Sequence, residues 1–200
     1  MNRSPYVLLT GLALILGACS QNRQFSKGEY DNPDEVRLLD DKFNEADVSQ
    51  FATEMVNSMA QHPIFVDAKL PPVVQVEEVR NQTSEHVNTK TITDSIRTAL
   101  IKTGRVRFSN KEDRETAHGE VDYQQESGRV RRDTQKKRNG GVGADYILTG
   151  DLVSNTQEVG SRKLVYYKLT LNLTNLTTNL IEWSEEKPIR KRFKKRTVGM

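Results

Sequence analysis

Ten residues near the C-terminus constrain this chain more than any others. Val165, Tyr167, Leu169, Leu171 and Leu173 alternate with Tyr166, Lys168, Thr170, Asn172 and Thr174. A period of two sends the two sets to opposite sides of a pleated strand, so one side packs and the other meets water. Thr177-Thr178-Asn179 supplies turn residues, and Leu180-Ile181-Glu182-Trp183-Ser184 returns as a second strand, with Ile181 and Trp183 expected together on the buried side. The chain must therefore build an antiparallel hairpin and then cover one of its faces.

The covering elements come earlier. Val48, Phe51, Ala52, Met55 and Met59 follow helical spacing. Asp47 is the expected N-cap, with Gln50 as its capping-box partner, and Pro63 ends the helix. The Met and Phe side chains of this stripe read as core packing. Val73 to Val79 is a β-branched run and reads as a strand, followed by a polar loop from Asn81 to Asn88. Thr89 to Thr103 returns to helical spacing through Ile92, Ile96, Ala99 and Leu100, with Gly104 as its stop. Val106 to Ser109 is a short strand candidate. This alternation argues for an α/β layer.

Asn110 to Asn139 has few apolar residues and reads as one or two exposed helices with ends that no signal marks. Gly140-Gly141-Val142-Gly143 then leads into Tyr146 to Val153, a buried strand. A nucleotide-binding glycine loop follows a strand and opens a helix. Here the glycines precede a strand, so they read as a turn.

The N-terminus carries an address. Arg3 is followed by an apolar run from Tyr6 to Leu16 and then Leu16-Gly17-Ala18-Cys19. A basic start, a short apolar stretch and small residues at the cut form a secretory signal, and the run is too short to span a bilayer. Leu-Gly-Ala-Cys resembles the lipobox of bacterial lipoproteins, in which the Cys thiol takes a diacylglycerol and becomes the new N-terminus. Cys19 is the sole cysteine, so an internal disulfide has no second partner. From Ser20 to Asp47 eight acidic residues face four basic ones. The expected organisation is a lipoprotein signal peptide over 1–18, a disordered acidic tether over 19–46, a globular domain over 47–192 and a basic tail over 193–200. With 35% hydrophobic and 28% charged residues, that domain has room for only a modest core.

Most catalytic chemistries lack their residues. His62, His86 and His118 fall in different elements without metal-ligand spacing, and acylation removes the one soft ligand. There is no G-x-S-x-G elbow. Glu77-Glu78 and Glu185-Glu186 are adjacent pairs that a strand sends to opposite faces, whereas glycoside hydrolysis needs carboxylates that face each other. No cofactor and no metal is expected.

Two basic runs remain. Arg129 to Arg138 contains Arg129, Arg131, Arg132, Lys136, Lys137 and Arg138 against Asp133 alone, and the tail runs from Lys187 to Arg196. Each reads either as a solvated face or as a contact for an anionic partner. Export to the envelope argues against nucleic acid and leaves acidic protein surfaces, phospholipid headgroups or peptidoglycan carboxylates.

Three blocks in order resemble one family, the LpoB-type penicillin-binding protein activators. They are Val79-Arg80-Asn81-Gln82-Thr83 with the Ile92/Ile96/Leu100 helix, Gly143-Ala144-Asp145-Tyr146-Ile147-Leu148-Thr149-Gly150-Asp151, and the closing hairpin ending Ile181-Glu182-Trp183-Ser184. The resemblance runs over about 73–190. It implies a fold like the TolB N-terminal domain and an outer-membrane lipoprotein facing the periplasm, with Ser20 after the cysteine favouring the outer membrane. It also implies docking on the regulatory domain of a class A penicillin-binding protein to stimulate peptidoglycan synthesis, without catalysis. The chain departs from the family's long Pro/Gln-rich tethers in having a short acidic one.

The expectation is thus a single α/β domain with a mixed, largely antiparallel sheet flanked by helices. Tyr146, Ile147, Leu148, Val165, Leu169, Leu171 and Trp183 belong in or near its core. Cys19 is the lipid attachment site, and Arg131, Arg132, Lys136, Lys137, Arg138 and Tyr146 are the candidate partner contacts. Peptidoglycan is a further candidate partner. The alternative is a non-catalytic structural or assembly lipoprotein that holds peptidoglycan or a secretion complex.

Overall fold

The computed structural model describes Asn32, Glu35, Leu38 and residues 40–195. The signal peptide, Cys19, most of the expected tether and the tail beyond residue 195 lie outside the described residues.

The first helix, α1 (Glu45–Gln61), is capped three residues earlier than its sequence suggests. Asn44 is the N-cap: its Oδ1 accepts from the Asp47 backbone N–H at 3.2 Å, while Asp47 Oδ2 accepts from the Asn44 N–H at 2.9 Å. Asp47 is the partner in this capping box rather than the cap. Its carboxylate also meets a lysine from the far end of the chain, which brings it inside the first turn. The apolar stripe buries Phe51, Ala52, Met55 and Met59 as the spacing requires. His62 is extended before a proline, and Pro63 starts the short α2 (Pro63–Val66).

The strand expected over Val73 to Val79 ends at Val76 as β1 (Val73–Val76), and a second short strand, β2 (Arg80–Gln82), begins just after it and runs into the stretch expected as a polar loop. After α3 (Thr89–Lys102), Gly104 takes the left-handed conformation at φ 69° that ends the helix. Then come β3 (Arg107–Phe108) and α4 (Arg114–Glu126), a helix with no buried residue. Three strands of 14 residues complete the chain: β4 (Tyr146–Val159), β5 (Arg162–Asn175) and β6 (Ile181–Lys194).

The sheet runs β3-β1-β4-β5-β6, and β2 continues the line of β1 along β4. The β1–β3, β1–β4 and β2–β4 pairings are parallel, and β4–β5–β6 is an antiparallel meander. This is the mixed α/β architecture that the sequence indicates. Leu148, Leu152, Val165, Tyr167, Leu169, Leu171, Leu173, Trp183 and Ile189 form one core with the inner faces of α1 and α3. Each fully buried aliphatic side chain contributes about 1.5–3 kcal/mol. Tyr146 is half-buried and packs against that core, whereas Ile147, expected with it, lies on the opposite face of β4 across from Thr174. Gly150 lies on β4 directly opposite Leu171 of β5. A Cβ there would lie 2.9 Å from the Thr170 carbonyl oxygen and against the Leu171 side chain, which only glycine avoids.

The hairpin departs from expectation at its turn. Asn175 Oδ1 accepts from the Thr177 and Thr178 N–H groups, and Asn179 adopts φ 58°. Leu173 pairs with Trp183, but Thr174 pairs with Ile181, so Glu182 is an extra residue in a β-bulge. The bulge reverses the alternation. Trp183 is 5% exposed, and Ile181, at 61%, joins Thr174 on the outer face instead of sharing the buried side.

Strands of this length span about 46 Å, against about 26 Å for α1, so the ribbon outruns its helical cover by roughly 20 Å. Residues 155–162 of the overhang are exposed. Phe193 and Lys194, expected in a free tail, lie in β6 and pair with Lys163 and Arg162. The last tether residues are also built into the fold. Phe43 stacks on Phe51 at 6.0 Å and meets the Tyr167 ring edge-on at 5.4 Å.

Candidate docking surfaces

The structure separates the candidate contact residues into two places. Residues 110–139 form an arm: α4 runs out from the sheet, and the loop after it folds back along the helix. Gln125 Nε2 donates to the Lys136 carbonyl, and the Lys136 N–H donates to Gln124 Oε1 at 3.1 Å. The arm is tied to the sheet by Arg114 to Gln75 and by Lys111 to Glu77. Lys111 holds the Glu77 carboxyl below its ordinary range, with help from Gln75.

Folding back changes the electrostatics of the basic run. Glu115, Glu120, Asp122 and Glu126 lie on α4, and the whole arm has eight basic against seven acidic residues. Arg138 binds Asp122 at 2.7 Å and also Glu126, and Arg131 pairs with Asp133 at 3.1 Å. Arg132, Lys136 and Lys137 are exposed and form no ion pair among the described residues. The run that reads as a block of six cations is, in three dimensions, two compensated arginines beside Arg129, Arg132, Lys136 and Lys137, which form no ion pair among the described residues.

Tyr146 stands elsewhere. It lies on the core side of β4, opposite Asn175, in a hollow of about 480 Å³ shared with Ile64, Leu70, Val142 and Thr177. None of the five arm cations lines that hollow. Burial raises the Tyr146 phenol pKa, and the charge of Glu182 adds to the effect. Leu70 and Val142, which line the hollow, are exposed. Sequence reading missed this hollow because its lining comes from segments far apart in the chain.

The outer face of the sheet is the third surface, and no helix among the described residues seals it. Its middle is internally paired. Arg80 makes two hydrogen bonds to Asp151, at 2.7 and 2.6 Å, and Gln82 adds a third. Arg80 holds the Asp151 carboxyl below its usual range. Lys168 meets Glu186 at 2.9 Å, Ser184 donates to Asn172 at 2.7 Å, and Arg190 lies 6.0 Å from the Tyr166 ring centroid. Among the described residues no group of three or more His, Asp or Glu is placed to hold a metal ion. No helix among them is long and apolar enough to cross a membrane.

Residues 47–189 match the family model described as peptidoglycan-synthase activator LpoB, which covers α1 through most of β6. Similar solved structures include the LpoB C-terminal domain from Salmonella enterica, 20% identical over 72% of this chain and 98% of that one, with a TM-score of 0.48. The LpoB C-terminal domain from Escherichia coli is 21% identical with the same coverage and a TM-score of 0.46. Lipoprotein GNA1162 from Neisseria meningitidis is 14% identical over 64% of this chain and 88% of that one, at 0.41. No curated protein sequence matches the chain.

Proposed function

Because this chain belongs to the peptidoglycan-synthase activator LpoB family, we propose that it is an outer-membrane lipoprotein that docks on a class A penicillin-binding protein and stimulates it. The family match over 47–189 carries this reading, since it runs from α1 through most of β6. Cys19 is the acylated N-terminus of the mature protein. The 23 residues from Cys19 to Asp41 reach at most about 75 Å when extended.

The role is regulatory. A non-catalytic activator must bind the working conformation of its synthase more tightly than the resting one. A tenfold rise in the active-to-resting ratio corresponds to about 1.4 kcal/mol of differential affinity. The arm is the contact we favour: it projects from the sheet, and Arg132, Lys136 and Lys137 are unpaired there. Arg131 and Arg138 shape it through their ion pairs. Tyr146 serves a second contact at the sheet end, distinct from the arm.

The test combines capture and activity. The mature chain is used to capture purified class A penicillin-binding protein, and glycan polymerisation by that synthase is followed with and without the chain. Capture with faster polymerisation supports the proposal. Retention of peptidoglycan fragments with no effect on the synthase overturns it in favour of a structural lipoprotein.

A further inference from the structure

The overhanging end of the ribbon has a chemistry that docking on a synthase does not use. On the outer face, register places Gln157, Leu164 and Arg192 in one row across β4, β5 and β6, and Val159, Arg162 and Lys194 in the next. Together they line an open concavity of about 610 Å³. Its apolar lining is Leu164, Phe193 and Val159, the last 77% exposed beside the hairpin tip. Its rim is Arg162, Arg192 and Lys194, which form no ion pair among the described residues, unlike the cations of the sheet's middle. The acids nearby are engaged, Glu158 by Lys163 at 3.6 Å and Lys195 at 3.7 Å, and Asp41 by Lys163.

Protection of an edge strand accounts for cations and Pro188 on β6. It does not account for an exposed valine on β4 or for an unpaired arginine on β5, which is an interior strand. Exposed apolar groups ringed by free cations suit a surface that is anionic outside and greasy beneath. The N-terminal segment enters at this same end, since Asp41 is ion-paired with Lys163, the neighbour of Arg162.

We propose that this end of the sheet seats on an anionic phospholipid surface. The three cations meet lipid phosphates, and Val159 enters the interface beneath them. The lipoprotein reading supplies only the orientation, with the leash and this concavity leading to one membrane and the opposite sheet end turned away from it.

Every core residue falls between Phe43 and Phe193, so a chain beginning at residue 19 with Cys19→Ser carries the whole fold without an anchor. Its binding is measured to vesicles of phosphatidylcholine and to vesicles with phosphatidylglycerol added. Binding to the anionic vesicles alone is expected, and it should disappear at high salt. With about 1 kcal/mol from each cation near the surface, Arg162→Gln/Arg192→Gln/Lys194→Gln should bind about a hundredfold more weakly. Val159→Asp should weaken binding too, while Arg132→Gln/Lys136→Gln/Lys137→Gln in the arm should not. Absent binding, an unaffected triple variant, or an equal loss in the arm variant overturns the proposal. The mass of the native protein reports separately on Cys19: an unmodified thiol removes the anchor and leaves the vesicle result standing.

Discussion

Lys191 Nζ lies 2.6 Å from Asp47 Oδ2, and the two side chains are only 4% and 3% exposed. The same ammonium donates to the Lys42 carbonyl at 2.6 Å and lies 5.5 Å from the Tyr167 ring centroid. It joins β6 to the first turn of α1 and to the residues just before it.

A buried pair is costly to break from one side, because the remaining charge loses its partner. Lys191→Met should destabilise the domain by about 3–5 kcal/mol, read as a lower urea midpoint with an unchanged slope. Adding Asp47→Asn to Lys191→Met should recover part of the loss, since both partners are then neutral. A double variant as unstable as the sum of its singles would rule out the coupling.

Gly150 admits no side chain. Gly150→Ala forces a methyl toward the Thr170 carbonyl and the Leu171 side chain, which should cost about 1–3 kcal/mol by overpacking. Thermal unfolding checks this. Gly119, with nothing within 4 Å of its added Cβ, is the control. Gly119→Ala in exposed α4 should be neutral or slightly stabilising.

The ion-paired carboxylates of Asp41, Glu77 and Asp151 all titrate below their ordinary values. A depressed folded-state pKa gives stability that is present above the unfolded value, near pH 4, and is lost as pH falls through the folded one. The urea midpoint should therefore hold steady from neutral pH to about pH 4 and decline below it. Asp151→Asn should start lower at pH 7 and decline less steeply. An unchanged slope would show that the Arg80 contact contributes nothing to acid sensitivity.

Charge reversal on the arm separates binding from folding. Arg131→Glu/Arg132→Glu/Lys137→Glu should weaken synthase capture at least about tenfold. Unfolding should move by no more than about 0.5 kcal/mol, as for most surface changes. Capture equal to that of the parent chain would show that the arm is not the contact.

The two faces of the bulged hairpin end respond oppositely. Trp183→Ala should cost about 3–5 kcal/mol, whereas Ile181→Ser, two positions away, should leave the unfolding midpoint nearly unchanged. Comparable losses from both would mean that the bulge does not form in solution.

Periodic signals carried much of the fold. The alternation over Val165 to Leu173 and the stripe from Phe51 to Met59 each report a single element packing on one side, and local spacing is enough to reveal that. What stayed hidden depends on distant partners. Asp47 reads as a cap because nothing nearby announces that Lys191 will claim it. The bulge at Glu182 depends on pairing geometry, so the side of Ile181 is read wrongly by simple alternation. Residues 154–158 are polar, yet β4 continues through them because β5 offers a hydrogen-bonding ladder. In the arm, the block from Arg129 to Arg138 is legible as charge. Its neutralisation by α4 appears only when the loop folds back.

The clamp around residues 41–44 decides where a pull from the N-terminal side arrives. Asp41 is held by Lys163, the Phe43 N–H by Glu85, and the Lys42 carbonyl by Lys191. Such a pull therefore reaches β5 and β6 before it can unwind the first helix, and would turn the domain as a unit instead of unravelling it from one end.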